Sequence, residues 1–223
     1  MKEYPKIKYH TQTVQRKLGD KIYIMEVIRD LDEAIDMICN GMSEVEKLDP
    51  FAEDLCPYFG VLWPAAEALS IYLDENPSLV RNKKVLELGC GLGFPSLVAT
   101  HQGAKVLATD FHPDVAEYFQ RNCRHSSLHC QYLRLNWRDQ QNELGKFQVV
   151  MGSDVLYESK HPLEVARGLA SFLEPGGKIL LSDPGRNYLQ PFLNGMKELG
   201  FKERYEIKQV SGKDNFVFLF ETN

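Results

Sequence analysis

The chain has 223 residues, of which 43% are hydrophobic, and a formal net charge of −5. That is enough for one α/β core with a short extension, and too acidic for nonspecific nucleic-acid binding. The opening stretch MKEYPKIKYHTQTVQRKLGDK lacks the apolar run of a signal peptide and no later run reaches membrane-spanning length, so a soluble, intracellular, cytoplasmic protein with no membrane partner is expected.

In chain order, residues 5–10 and 21–28 have alternating β character about Leu18-Gly19-Asp20, which predicts a hairpin, and Asp30 to Met42 reads as a helix. Residues 43–60, punctuated by Pro50, Pro57 and Gly60, read as a loop leading across a ligand site. An amphipathic helix follows from Pro64 to Asp74. Strands are then expected near 84–89, 105–110, 130–135, 147–153 and 178–182, separated by helices near 95–102, 113–123, 162–172 and 187–199. Such alternation means a parallel sheet with helices on both faces. Runs 202–209 and 214–221 are joined by a connection too short for a crossover, so the sheet ends in a hairpin. The division expected is an N-terminal extension over 1–59 and an α/β domain over 60–223.

Residues 84–110 carry the strongest chemical signal. Val85-Leu86-Glu87-Leu88 reads as a buried strand, Gly89, Gly91 and Gly93 make a G-x-G-x-G turn, and a second strand ends on Asp110. Glycines let backbone approach a ligand closely, and an acid at the end of the second strand suits the two hydroxyls of a ribose. Phe94 stands where the dinucleotide fingerprint G-x-G-x-x-G needs glycine, and no G-x-x-x-x-G-K-[ST] run follows, so pyrophosphate and P-loop readings fall away. S-adenosylmethionine, a nucleoside without phosphate, fits best. Gly89, Cys90 and Gly91 would lie along its methionine part, Gly93 belongs to the same cofactor-binding turn, and Glu87 would order the ammonium group directly or through water. Asp110 has a competing reading as a helix N-cap before His112-Pro113. Cys90 reads as a small packing residue, since no neighbouring base activates it.

The motifs ELGCGLG (87–93), Asp110 and LEPGGKILL (173–181) make residues 60–221 resemble the class I, seven-β-strand methyltransferases. The resemblance implies a Rossmann-like seven-stranded, mostly parallel sheet with one antiparallel strand. LWPAAEAL (62–69), the LNW of 135–137 and Asp154-Val155-Leu156-Tyr157 look like family 16, the D-x-x-Y group, which contains mostly protein-lysine N-methyltransferases. DPFAEDLCPYFGVLWP with DPGR (183–186) most resembles the branch acting on the electron-transfer flavoprotein β-subunit, which implies a protein substrate of that kind.

The resemblance places Trp63 near the cofactor's tail and Trp137, after Asn136, beside adenine, although either indole could simply fill core. Ser153, at a strand end, should contact the cofactor. The apolar run FQVVMGSD delivers Asp154 to the cleft and the next turn supplies Tyr157, so both can face an incoming amine. Methyl transfer needs a neutral nitrogen aligned with the methyl carbon, and orienting it is the main task left to the protein. Asp154 would accept a hydrogen bond from that amine and Tyr157 would position it. A loop acid or an N-cap before His161-Pro162 is the competing reading of Asp154. Asp183 and Arg186 read either as acceptor wall or as a Pro-Gly turn with a solvated arginine.

The five cysteines at 39, 56, 90, 123 and 130 lack C-x-x-C pairing, which favours reduced thiols. Cys123, His125, His129 and Cys130 are too compactly spaced for a zinc site, and no metal is expected. Two rivals remain: an enzyme of the same cofactor class acting on a small amine or ring nitrogen, and a noncatalytic module that binds S-adenosylmethionine or a partner. Methylation of RNA draws little support from the charge.

Overall fold

Residues 7–41, 55–138 and 144–222 are described in the computed structural model of the chain. An N-terminal hairpin pairs β1 (Thr11–Leu18) with β2 (Lys21–Ile28), and α1 (Leu31–Gly41) follows. The first strand is therefore 11–18; of the 5–10 that the sequence suggested, residues 7–10 are not strand and residues 5–6 lie outside the described residues. Gly19, with φ of +51°, and Asp20 make a two-residue turn that pairs Leu18 with Lys21, so the residues next to the turn have to form the strand.

The main sheet holds β3 (Lys84–Leu88), β4 (Lys105–Asp110), β5 (Gln131–Arg134), β6 (Phe147–Ser153), β7 (Leu173–Asp183), β8 (Phe201–Val210) and β9 (Lys213–Thr222). Its order is β5-β4-β3-β6-β7-β9-β8, with β9 antiparallel to both neighbours and the other pairings parallel. The seven-stranded sheet with one reversed strand is the one expected from the sequence. Strand β7 starts at Leu173, earlier than the expected 178, and its pairing with β6 shifts register between Phe147 and Val149. Glu174 to Gly177 take up that shift, with Gly176 at φ of +76°, so residues that look like a turn build an irregular strand.

Helices α2 (Pro64–Glu75), α3 (Phe94–His101), α4 (Val115–His125), α5 (His161–Phe172) and α6 (Leu189–Glu198) cover both faces. Because successive strand residues point to opposite sides, each central strand feeds two cores. Val85, Met151, Leu180 and Leu219 pack with Leu69 of α2, Leu97 of α3 and Phe119 of α4. Leu86, Val150, Leu181 and Phe220 pack with Leu169 of α5 and Phe192 of α6. Near-continuous apolar runs on β3, β6 and β7 follow from burial on both faces. No helix among the described residues is long and apolar enough to cross a membrane.

Candidate active site

Brought together at the carboxyl ends of β3, β4 and β6 is an open cleft with about 910 Å³ of empty space. Its wall includes Trp63, Gly89, Cys90, Gly91, Gly93, Asp110, Asn136, Trp137, Ser153, Asp154 and Tyr157. That position, beyond the strand ends where β3 leads to β4 on one side and β6 on the other, is where open α/β sheets bind ligands.

Gly89, Gly91 and Gly93 all have positive φ, at +65°, +49° and +80°. A side chain at the first would meet Val155 and Trp137, and at the third it would stand 2.3 Å from the Phe119 ring. The turn is thus closed on the protein's own packing as well as open to a ligand. Cys90 donates its N–H to Thr109 O, and burial pushes its thiol well above the usual range, which makes it an inert packing group.

Asp110 holds this turn to the end of β4. Its Oδ2 accepts the Gly91 N–H and its Oδ1 the His112 N–H, each at 2.9 Å. Helix α4 begins only at Val115, so Asp110 caps its own turn and not a helix. Each oxygen keeps a lone pair for a hydroxyl, which fits the ribose reading. Burial raises the Asp110 pKa, opposed by those backbone N–H groups and by Arg134.

Glu87 lies deeper and does not line the cleft. It is fully buried, the Ser96 hydroxyl donates to its Oε2, and its Oε1 has no hydrogen-bond partner among the described residues. Burial pushes its pKa up to about 8. An unsatisfied carboxyl oxygen beneath the glycine turn fits an ammonium group reached through water better than one touched directly.

Asn136 Oδ1 accepts the Arg138 N–H, and the Trp137 ring lies edge-on to His161 with centroids 5.3 Å apart. Trp63 donates its Nε1–H to Tyr58 O at 2.9 Å. Both indoles therefore line the cleft while also packing on the protein.

Asp154 follows β6 with φ of +59°, its N–H bonded to Ser182 O. Aspartate tolerates this left-handed backbone better than most residues. Its side chain is almost wholly buried and its Oδ1 pairs with Arg186 Nη1 as ions. Helix α5 has Lys160 at its N-cap, so Asp154 does not cap it. Tyr157, 40% exposed, stands at the rim with its ring 4.6 Å from that of His161 and 6.1 Å from that of Tyr58. Asp183 is fully buried, accepts the Gly185 and Arg186 N–H groups at Oδ1, and lies off the cleft wall. It is a turn cap behind Asp154, while Arg186 is an ion-pair partner and not a solvated arginine.

The sequence reading missed His112. Its ring, buried against Phe59 at 4.4 Å, accepts the Asp114 N–H at Nδ1 and donates Nε2–H to Leu55 O at 3.0 Å. The described part of the connection before α2, from residue 55 onward, is fastened over the glycine turn in this way; residues 43–54 of the expected loop, and Met42 of the expected helix, lie outside the described residues. Cys123 and Cys130 point into the core while His125 and His129 are exposed, and no group of His, Cys, Asp or Glu among the described residues could hold a metal ion.

Residues 53–198 match the family described as lysine methyltransferase. The electron transfer flavoprotein beta subunit lysine methyltransferase of Xenopus laevis is 31% identical over 80% of this chain and 71% of its own length. Its Mus musculus counterpart is 32% identical over 66% of this chain and 57% of its own, so the chain spans little more than half of that relative. Among solved structures, the T. thermophilus 16S rRNA N2 G1207 methyltransferase in complex with AdoMet and guanosine superposes with a TM-score of 0.63 at 18% identity, covering all of this chain and 53% of that one. At that identity the likeness establishes fold.

Proposed function

The chain belongs to the lysine methyltransferase family, and from that premise we propose that it methylates a lysine side chain of a folded protein, the electron-transfer flavoprotein β-subunit being the first acceptor to test. The family's cofactor is S-adenosylmethionine, which supplies an electrophilic methyl carbon on a sulfonium when bound. The observation that carries the reading is that Asp154 and Tyr157 line the same cleft as the glycine turn and Asp110. The named relatives support the acceptor.

Gly89 to Gly93 and Asp110 would hold the cofactor, with Trp63, Asn136, Trp137 and Ser153 completing its walls. Asp154 accepts a hydrogen bond from the lysine nitrogen and stabilises the cation it becomes, and Tyr157 at the rim guides the aliphatic stem. A cofactor held there would supply the methyl group to the neutral nitrogen that Asp154 and Tyr157 orient, and the surplus proton of the product would pass to water. Asp154 need not take that proton itself, because a carboxylate of ordinary strength is a weak base against an amine of pKa ~10.4.

Purified protein, labelled cofactor and recombinant β-subunit provide the test. Label on a lysine of the β-subunit is expected; label confined to small molecules would overturn the reading. Asp154→Ala should bind cofactor within a few-fold of wild type, by calorimetry, yet lose about 100-fold or more in transfer rate. Undiminished transfer by that variant would remove Asp154 from its assigned role.

A further inference from the structure

Arg186 is placed by two constraints that the turn reading did not anticipate. Asp183 fixes its backbone by accepting the Arg186 N–H at 2.8 Å, while its Nη1 pairs with Asp154 Oδ1 and stands 3.7 Å from Asp183 Oδ2. One guanidinium is thus shared between two buried carboxylates, and one of these lines the cleft where the acceptor nitrogen must arrive. The remaining ionisable groups near Asp154 do not replace it: Tyr157 is a phenol at the rim, and Glu158 lies 3.3 Å from His161 Nε2. Asp110 is bonded to the glycine turn.

A bare carboxylate at the transfer site works against the reaction in one respect. It stabilises the lysine ammonium and so raises the pKa of a nitrogen that reacts only when neutral. A fixed positive charge on the same carboxylate acts in the opposite direction. We propose that Arg186 is a positioning residue that offsets the charge of Asp154, so that the acceptor lysine is held by Asp154 as a free amine. The inference rests on the lysine reading above. Arg186 is not among the residues that line the cleft, so it acts through Asp154.

The test is the pH dependence of kcat at saturating acceptor, which reports ionisations in the enzyme–substrate complex. Removing the guanidinium charge in Arg186→Gln should move the alkaline-rising limb up by about one pH unit, a shift of the size that one nearby charge produces. At neutral pH kcat should fall about tenfold while KM for the protein acceptor stays level or drops, since Asp154 then attracts the ammonium more strongly. Arg186→Lys, which keeps the charge, should restore most of the wild-type profile. A merely structural arginine would lower kcat without moving the limb, and an unmoved limb in Arg186→Gln overturns the inference. Wild-type enzyme gives a check that does not depend on variants folding: its kcat should level off well below pH ~10.4, and a rate still climbing there overturns the inference. If wild-type protein binds cofactor yet transfers nothing to lysine, the lysine reading itself fails.

Discussion

Glu87 shows how burying one carboxyl weakens the fold. Its carboxyl is buried beneath the glycine turn with one oxygen unsatisfied, and burial raises its pKa to about 8. In the unfolded chain the same group ionises near its ordinary value of 4.5. Between these values the folded state holds a proton that the unfolded state has released, so stability falls as pH rises from about 4.5 to about 8 and then levels off. The loss is on the order of a few kcal/mol. Glu87→Gln keeps the shape and removes the ionisation, so its melting temperature relative to wild type should rise across that pH window. A constant difference from pH 5 to 8 in thermal melts would show that Glu87 does not titrate as its burial requires. Glu87 was visible in the sequence as an acid on an apolar strand, but its depth was not: Ser96, its buried partner, sits nine residues on in another element.

At the scale of elements, His112 couples the end of β4 to the connection before α2. Burial lowers its pKa to about 4, and the bond accepted at Nδ1 holds it in the Nε2–H form that donates to Leu55 O. The unfolded chain takes up a proton near pH ~6.5. The folded state resists protonation down to about 4, so this histidine costs stability as pH falls through that interval. His112→Phe preserves ring packing on Phe59 but loses both hydrogen bonds, and should cost about 1–3 kcal/mol at neutral pH while abolishing that acid-side loss. Denaturant melts at pH 7 and pH 5 test this: a penalty as large at pH 5 as at pH 7 would contradict it. The strands flanking the turn were legible because apolar runs and glycine spacing are local signals. His112 was not, because its partner is 57 residues away in the chain. Arg186 was misread for the same reason, as its carboxylate partner Asp154 comes from a different strand end.

At the scale of the whole molecule, a buried amide joins the N-terminal hairpin to the glycine turn. Asn122 of α4 accepts the Glu26 N–H from β2 at 2.7 Å and donates to Leu92 O, inside the glycine turn, at 3.1 Å. Arg121 adds an ion pair to Glu26 at 2.6 Å. Tyr23 and Met25 of β2 enter the same core as Leu97 and Phe119, so the hairpin is packed into the sheet's helical layer. Alternation and turn chemistry made the seven-stranded sheet readable from sequence, whereas this docking depends on a polar residue in a helix that otherwise shows only its amphipathic pattern. Asn122→Ala leaves a buried N–H and a buried carbonyl without their partner, at a cost of about 1–3 kcal/mol. For a chain of this size that corresponds to a melting temperature lower by roughly 2–12 °C. If the amide transmits order from hairpin to turn, amide exchange should quicken in residues 21–28 and in 89–93 together, and cofactor affinity should weaken. Faster exchange in the hairpin alone, with unchanged affinity, would mean that the extension rests on the domain without supporting its site.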